Sequence, residues 1–233
     1  MHARRGSRRS AAESLSPGHV LGGFSTITAN RTVRGTGVGH TASMSWPFLY
    51  FSDEGLSLAE LTAARLDGDL IDVGEAFMPT DAVETSALRA ASLGRLIPPA
   101  VALTHVSAAW IHGAISAPPS RHTVQRLSRV RTHVRDPRLV YRDRAVPIDD
   151  VTVIGGVSVT TPARTLADLV RDLCRGEVRS RPAIEAMALW NPDLAGETAQ
   201  WLQHAPPLHF KRPALVFLRL LAEREPAQEE VTR

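Results

Sequence analysis

The stretch from Val151 to Leu173 changes its period once, and this change constrains the fold more than any other feature of the chain. Val151–Ile154 and Val157–Thr160 are short and β-branched, and Gly155-Gly156 between them supplies a tight turn. Thr161-Pro162 then opens a helix. Threonine is a good N-cap, and proline suits the first helical position, where its missing N–H costs nothing. Leu166, Leu169, Val170 and Leu173 recur at helical spacing and form one apolar stripe. A strand pair feeding an amphipathic helix implies an α+β protein, with the helix covering one face of a sheet.

The same reasoning places the other elements. Trp46, Phe48, Leu49 and Phe51 form an apolar cluster, and Met44 just before it is a candidate start. Ser57 and Glu60 have the spacing of a capping box, opening a helix that Asp67-Gly68 ends. Leu70–Val73 and Ala76–Met78 flank Gly74-Glu75 and read as a hairpin. Residues from Asp81 to Leu96 read as mostly helical up to Pro98-Pro99, and a second helix is expected from about Ala102 to His112, closed by Gly113. Strands are expected at Thr123–Leu127, Arg131–Val134 and Leu139–Arg142, and helices at Pro182–Trp190 and Pro213–Glu223. The expected fold is α+β: an abbreviated winged-helix-like unit over 44–80, then a small mixed or antiparallel sheet packed with helices over 81–225. Residues 1–43, rich in Ser, Gly, Thr and Arg, read as a disordered tail, and 226–233 as a frayed one. No apolar run approaches the roughly 18–20 residues of a membrane span. With Cys174 as the only cysteine, the chain reads as soluble and cytoplasmic, and that thiol as a buried structural one.

Charge is segregated. Residues 53–84 hold nine carboxylates against Arg65 alone, while residues 85–150 hold ten arginines against four aspartates. A helix and hairpin this acidic should be repelled by phosphate. The better candidate for nucleic-acid contact is the basic stretch containing Arg121, Arg126, Arg129, Arg131 and Arg135, continued by Arg138, Arg142 and Arg144. The acidic block is the alternative partner of these arginines. Reactive groups are sparse. His105 and His112 lie seven apart on one helical face but lack a third ligand, so no metal is expected. Ser107 is not in a nucleophile elbow, Gly155-Gly156 lacks the Lys-Ser/Thr of a phosphate loop, and Asp149-Asp150 has no visible partner. No catalytic residue and no cofactor are expected.

Three segments together resemble a known family: Ser57-Leu58-Ala59-Glu60-Leu61 with the following hairpin, the run from Leu103 to Gly113, and the run from Gly156 to Leu169. Their order is similar to the AbiEi-like antitoxins of type IV toxin–antitoxin systems, in their actinobacterial form. The resemblance implies a non-catalytic antitoxin and DNA-binding regulator of its own operon, with operator DNA and a nucleotidyltransferase-type toxin as partners. It marks Ser107, His112, Gly113, Thr161, Pro162, Arg164, Thr165 and Asp168 as motif residues of structural role, with Arg164 tying its helix to the preceding strands. The short acidic first unit departs from the family pattern, and the tail is too short for the nuclease carried by longer relatives. Two alternatives follow: a protein–protein module that has lost DNA binding, and a degenerate relative of the nuclease-fused branch.

Overall fold

A computed structural model describes residues 46–52, 54–131 and 134–223. The two expected tails, 1–43 and 226–233, lie outside the described residues.

Ser57 caps α1 (Leu58–Asp67) in a reciprocal capping box with Glu60, and Gly68 closes the helix in the left-handed conformation. The hairpin follows as β1 (Leu70–Val73) and β2 (Ala76–Pro79), antiparallel with Val73 opposite Ala76. Tyr50 bridges to Phe77 and extends this small sheet on its other side. The expected helix over 81–96 contracts to α2 (Ser86–Ser92), capped by Thr85.

The expected helix from Ala102 is corrected at its start. Val101–Leu103 is a strand, β3, and α3 runs only over His105–His112. All three β3 residues are buried, because the strand sits at the centre of a five-stranded sheet of order β5-β4-β3-β7-β6. The other strands are β4 (His122–Arg126), β5 (Leu139–Ala145), β6 (Val151–Ile154) and β7 (Val157–Thr160). The sheet is mixed: β3–β7 and β4–β5 are parallel, β3–β4 and β6–β7 antiparallel. The strand expected at Arg131–Val134 is absent at the described Arg131 and Val134, which lie in the connection from β4 to β5.

Thr161 caps α4 (Pro162–Cys174) through its hydroxyl, with proline at the first position. α5 (Arg181–Trp190), α6 (Leu194–His204) and α7 (Lys211–Ala222) are the remaining α-helices among the described residues, and α6 has no counterpart in the sequence reading. Two apolar cores result. The first joins Leu103, Val124 and Val159 of the sheet to Trp110 and Ile111 of α3, and to Val73 and Met78 of the hairpin. The second joins Leu166 and Leu169 of α4 to Ile184, Leu202 and Leu218 of the later helices, with Ala109 of α3. Successive residues of a helix point about 100° apart, so α3 can serve both cores at once.

The β6–β7 turn is pressed against α2. Gly155 has φ +55°, and a Cβ there would overlap the Ala87 carbonyl oxygen and come within 2.8 Å of the Ala91 nitrogen. Gly156 has φ +82° with nothing within 4 Å. Gly155→Ala should therefore destabilise by about 2–4 kcal/mol, combining overpacking with backbone strain, and Gly156→Ala by only about 1 kcal/mol. Urea unfolding of the two variants side by side checks this; equal losses would refute the close-approach argument.

Candidate functional site

α4 carries two faces. Its leucines enter the second core, while Arg164, Asp168, Arg171, Asp172 and Arg175 recur at steps of four, three, one and three residues and share the opposite side. Four of these five charged residues are buried, and Arg175 is exposed at the helix end.

Asp168 is the centre of this charged face. One oxygen accepts from Arg164 Nε at 2.8 Å, the other from Arg171 at 2.5 Å. Burial works against its ionisation and is the largest single influence, but the charge and hydrogen bond of Arg164 together with the other cations around it outweigh that cost, and the carboxyl is held below the usual range. Arg164 also donates to Asp150 at 2.6 Å, and Trp201 Nε1 donates to the second Asp150 oxygen at 3.1 Å. Asp150 lies in the 3-10 turn before β6, so this chain of bonds ties the sheet, α4 and α6 together. Arg171 Nε donates to the carbonyl of His209, between α6 and α7.

Asp172 forms a second knot. Its oxygens accept from Arg142 of β5 at 2.6 Å and from Arg175 at 3.1 Å. His105 Nε2 lies 3.1 Å from Arg142 and 3.4 Å from Asp172. Because a guanidinium only donates, Nε2 is the acceptor and Nδ1–H donates to the Thr104 hydroxyl at 2.8 Å. Burial pushes the His105 pKa down to about 4.

These groups line a cleft of about 540 Å³ between α4, the outer part of the sheet and the α6–α7 connection. Gln125 of β4 and Arg142 of β5 are register partners and therefore share the face that looks into it. The sequence reading placed no such cleft. The sequence carries a signal for it: the charges from Arg164 to Arg175 follow one helical stripe, opposite the apolar stripe of Leu166, Leu169, Val170 and Leu173.

The motif residues are distributed as follows. Ser107, buried in α3, accepts the backbone N–H of Thr123 at 2.9 Å, a bond that small size alone does not explain. His112 Nε2–H donates to the Thr160 carbonyl at 2.7 Å, and burial pushes its pKa down. Gly113 ends α3 with φ +94°. Thr165 and Thr160 hydroxyls meet at 2.7 Å beside Leu103, at the β3–β7 junction. His105 and His112 point to different partners, and no described cluster of three His, Cys, Asp or Glu could hold a metal ion. Cys174 is only half-buried.

The basic stretch is not one patch. Arg121 is folded back onto the Pro137 and Leu139 carbonyls, and Arg126 is held by Asp143 and the Ser128 carbonyl. Arg138 pairs with Asp136 and reaches Glu75 of the hairpin at 2.5 Å, one direct contact between the basic and acidic blocks. Arg131 bonds Asp143 at 2.9 Å but is 81% exposed. Arg129 and Arg135 are exposed, and among the described residues neither has an ion-pair or hydrogen-bond partner.

A mixed α+β protein with a buried guanidinium–carboxylate lattice between its sheet and its C-terminal helices is the class these features define. Residues 100–199, from β3 into α6, match the family model of the AbiEi antitoxin C-terminal domain, and that stretch is what the chain shares with the AbiEi-like antitoxins. A comparison with curated proteins found no match. Among the described residues no helix is long and apolar enough to cross a membrane.

Two outcomes test this site. Asp168→Asn leaves Arg164 and Arg171 buried with one anion fewer, and should cost about 3–5 kcal/mol in urea unfolding; a loss within error of zero would show the lattice to be dispensable. The His105 pKa is lower folded than unfolded, so its neutral form stabilises the fold above pH ~6.5, and that stability drains away as pH falls toward about 4. Wild type should lose on the order of 3 kcal/mol more than His105→Gln between pH 7 and pH 4. Parallel pH profiles for the two proteins would contradict the assignment.

Proposed function

We propose that this AbiEi-like chain acts by binding, without catalysis, as the antitoxin of a cytoplasmic toxin–antitoxin pair, and that it reads DNA through the connection between β4 and β5. The observation that carries the DNA reading is the exposure of Arg129, Arg131 and Arg135 on one short segment, two of them without a partner among the described residues. Free guanidinium groups on an exposed loop can replace counterions on phosphate at little cost, whereas Arg121 and Arg126 would first have to break internal bonds. The helix and hairpin over 57–79 present Glu60, Asp67, Asp69 and Asp72 and are assigned no phosphate contact. Binding in place of catalysis is supported by the chemistry of the cleft: the oxygens of Asp168 and Asp172 already accept from guanidinium groups.

A second reading, a surface for a nucleotidyltransferase-type toxin, is favoured by α7. Val216 and Leu220 are 59% and 58% exposed and lie four residues apart on one helical face.

Mobility shift on the upstream DNA of the gene, at two salt concentrations, tests the first reading. Wild type should bind more weakly at the higher salt, and Arg129→Ala/Arg135→Ala should weaken binding and reduce the salt slope by about 2. No shift at low salt would leave the toxin surface as the working reading, and an unchanged slope in the double variant would move the phosphate contact elsewhere.

A further inference from the structure

The cleft beside α4 has more donors than acceptors. Among its carboxylates, Asp168 and Asp172 have both oxygens engaged by guanidinium groups, and Asp143 accepts from Arg126 on one oxygen and Arg131 on the other. The donors are not used up. Arg144, which lines the cleft beside Arg142, is exposed and without a bonding partner among the described residues. Arg175 spends one bond on Asp172 and leaves its side chain 49% exposed. The site is therefore built for an anion.

Three further observations describe the rest of the ligand. Gln125 lines the cleft at 3% exposure, and its amide oxygen has no partner, a cost that an N–H or O–H of a ligand would remove. Phe210 at the mouth keeps 41% of its surface exposed. Backbone strain also converges here: Phe48, His105 and Phe210 are the described non-glycine residues with positive φ, and two of the three line this cleft. Strain of this kind collects where a ligand is held. The volume, about 540 Å³, lies within the range of small-molecule sites and exceeds what a bare phosphate fills.

We propose that this cleft binds a nucleotide, with its phosphate on Arg144 and Arg175, its base against the Phe210 ring, and a ribose hydroxyl or base amine on the Gln125 amide. The chemistry is the same for a free nucleotide and for the phosphorylated end of a nucleic-acid strand. The cleft lining includes neither Arg129 nor Arg135 of the β4–β5 connection.

Calorimetric titration of the full chain with ADP, inorganic phosphate and a 5′-phosphorylated pentanucleotide tests the proposal. ADP or the pentanucleotide should bind at least about tenfold more tightly than phosphate. Arg144→Ala and Arg175→Ala should each weaken that binding by about tenfold or more, and Phe210→Ala should weaken it while leaving phosphate affinity unaltered. Arg129→Ala/Arg135→Ala should leave ADP affinity as in wild type, which separates this site from the proposed DNA contact. Arg144 is exposed, so a thermal melt superimposable on wild type will show that its variant is folded. A preference for the pentanucleotide identifies a strand end, and a preference for ADP a free nucleotide. No binding of any probe up to about 5 mM, affinity indifferent to both arginine variants, or phosphate binding as tightly as ADP would each overturn the assignment.

Discussion

Asp168 holds two buried guanidinium groups apart and in place, and much of the packing around α4 depends on that. Arg164 extends from it to the turn before β6 and to Trp201 of α6; Arg171 extends from it to the segment between α6 and α7. Burying such charges is costly, and an apolar cluster of equal volume could match or exceed their net contribution to stability. What the lattice adds is geometry. Hydrogen bonds to a fork-shaped cation have direction, so the rotation of α4 against the sheet is set by bond angles as well as by the shape of its leucine face. The residues that form the cleft follow from this, because Arg171, Asp172 and Arg175 lie further along the same helical stripe.

A modest net charge of +3 conceals two opposed regions, and the fold pairs them at several points: Glu75 with Arg138, Glu84 with Arg89 and Glu54 with Arg95. Asp136, held down to about 2 by hydrogen bonds from Arg138, takes up more of the same guanidinium. Several arginines of the basic stretch therefore serve the protein's own backbone and carboxylates. The count of basic residues along the sequence overstates the charge left for a partner, and only side-chain placement separates Arg129 and Arg135 from Arg121 and Arg126.

Elements whose signals are local could be read from the chain alone. The Ser57–Glu60 box, the Gly74-Glu75 hairpin and the Thr161-Pro162 helix start each depend on residues within a few positions of one another. β3 was misread because a three-residue strand buried on both faces shows no alternation, and its identity is fixed by β4 and β7, distant in sequence. α6 was missed because Asn191-Pro192-Asp193 reads as a turn and Gly196 weakens the helical pattern that follows. The supposed strand around Arg131 has a β-branched composition without a neighbour to pair with at the described positions. Within the site, Arg164 and Asp168 could be paired from their spacing, but the burial that makes the pair consequential could not. Gln125, Arg142 and Phe210 join the cleft through sheet register and a loop conformation that leave no local trace.

α3 contributes Trp110 and Ile111 to one apolar core and Ala109 to the other. Neither core can lose its packing while the other keeps this eight-residue helix intact. The sheet layer and the C-terminal helices are thus bound into a single melting unit, and a polypeptide cut between them would leave each fragment with half of a shared wall.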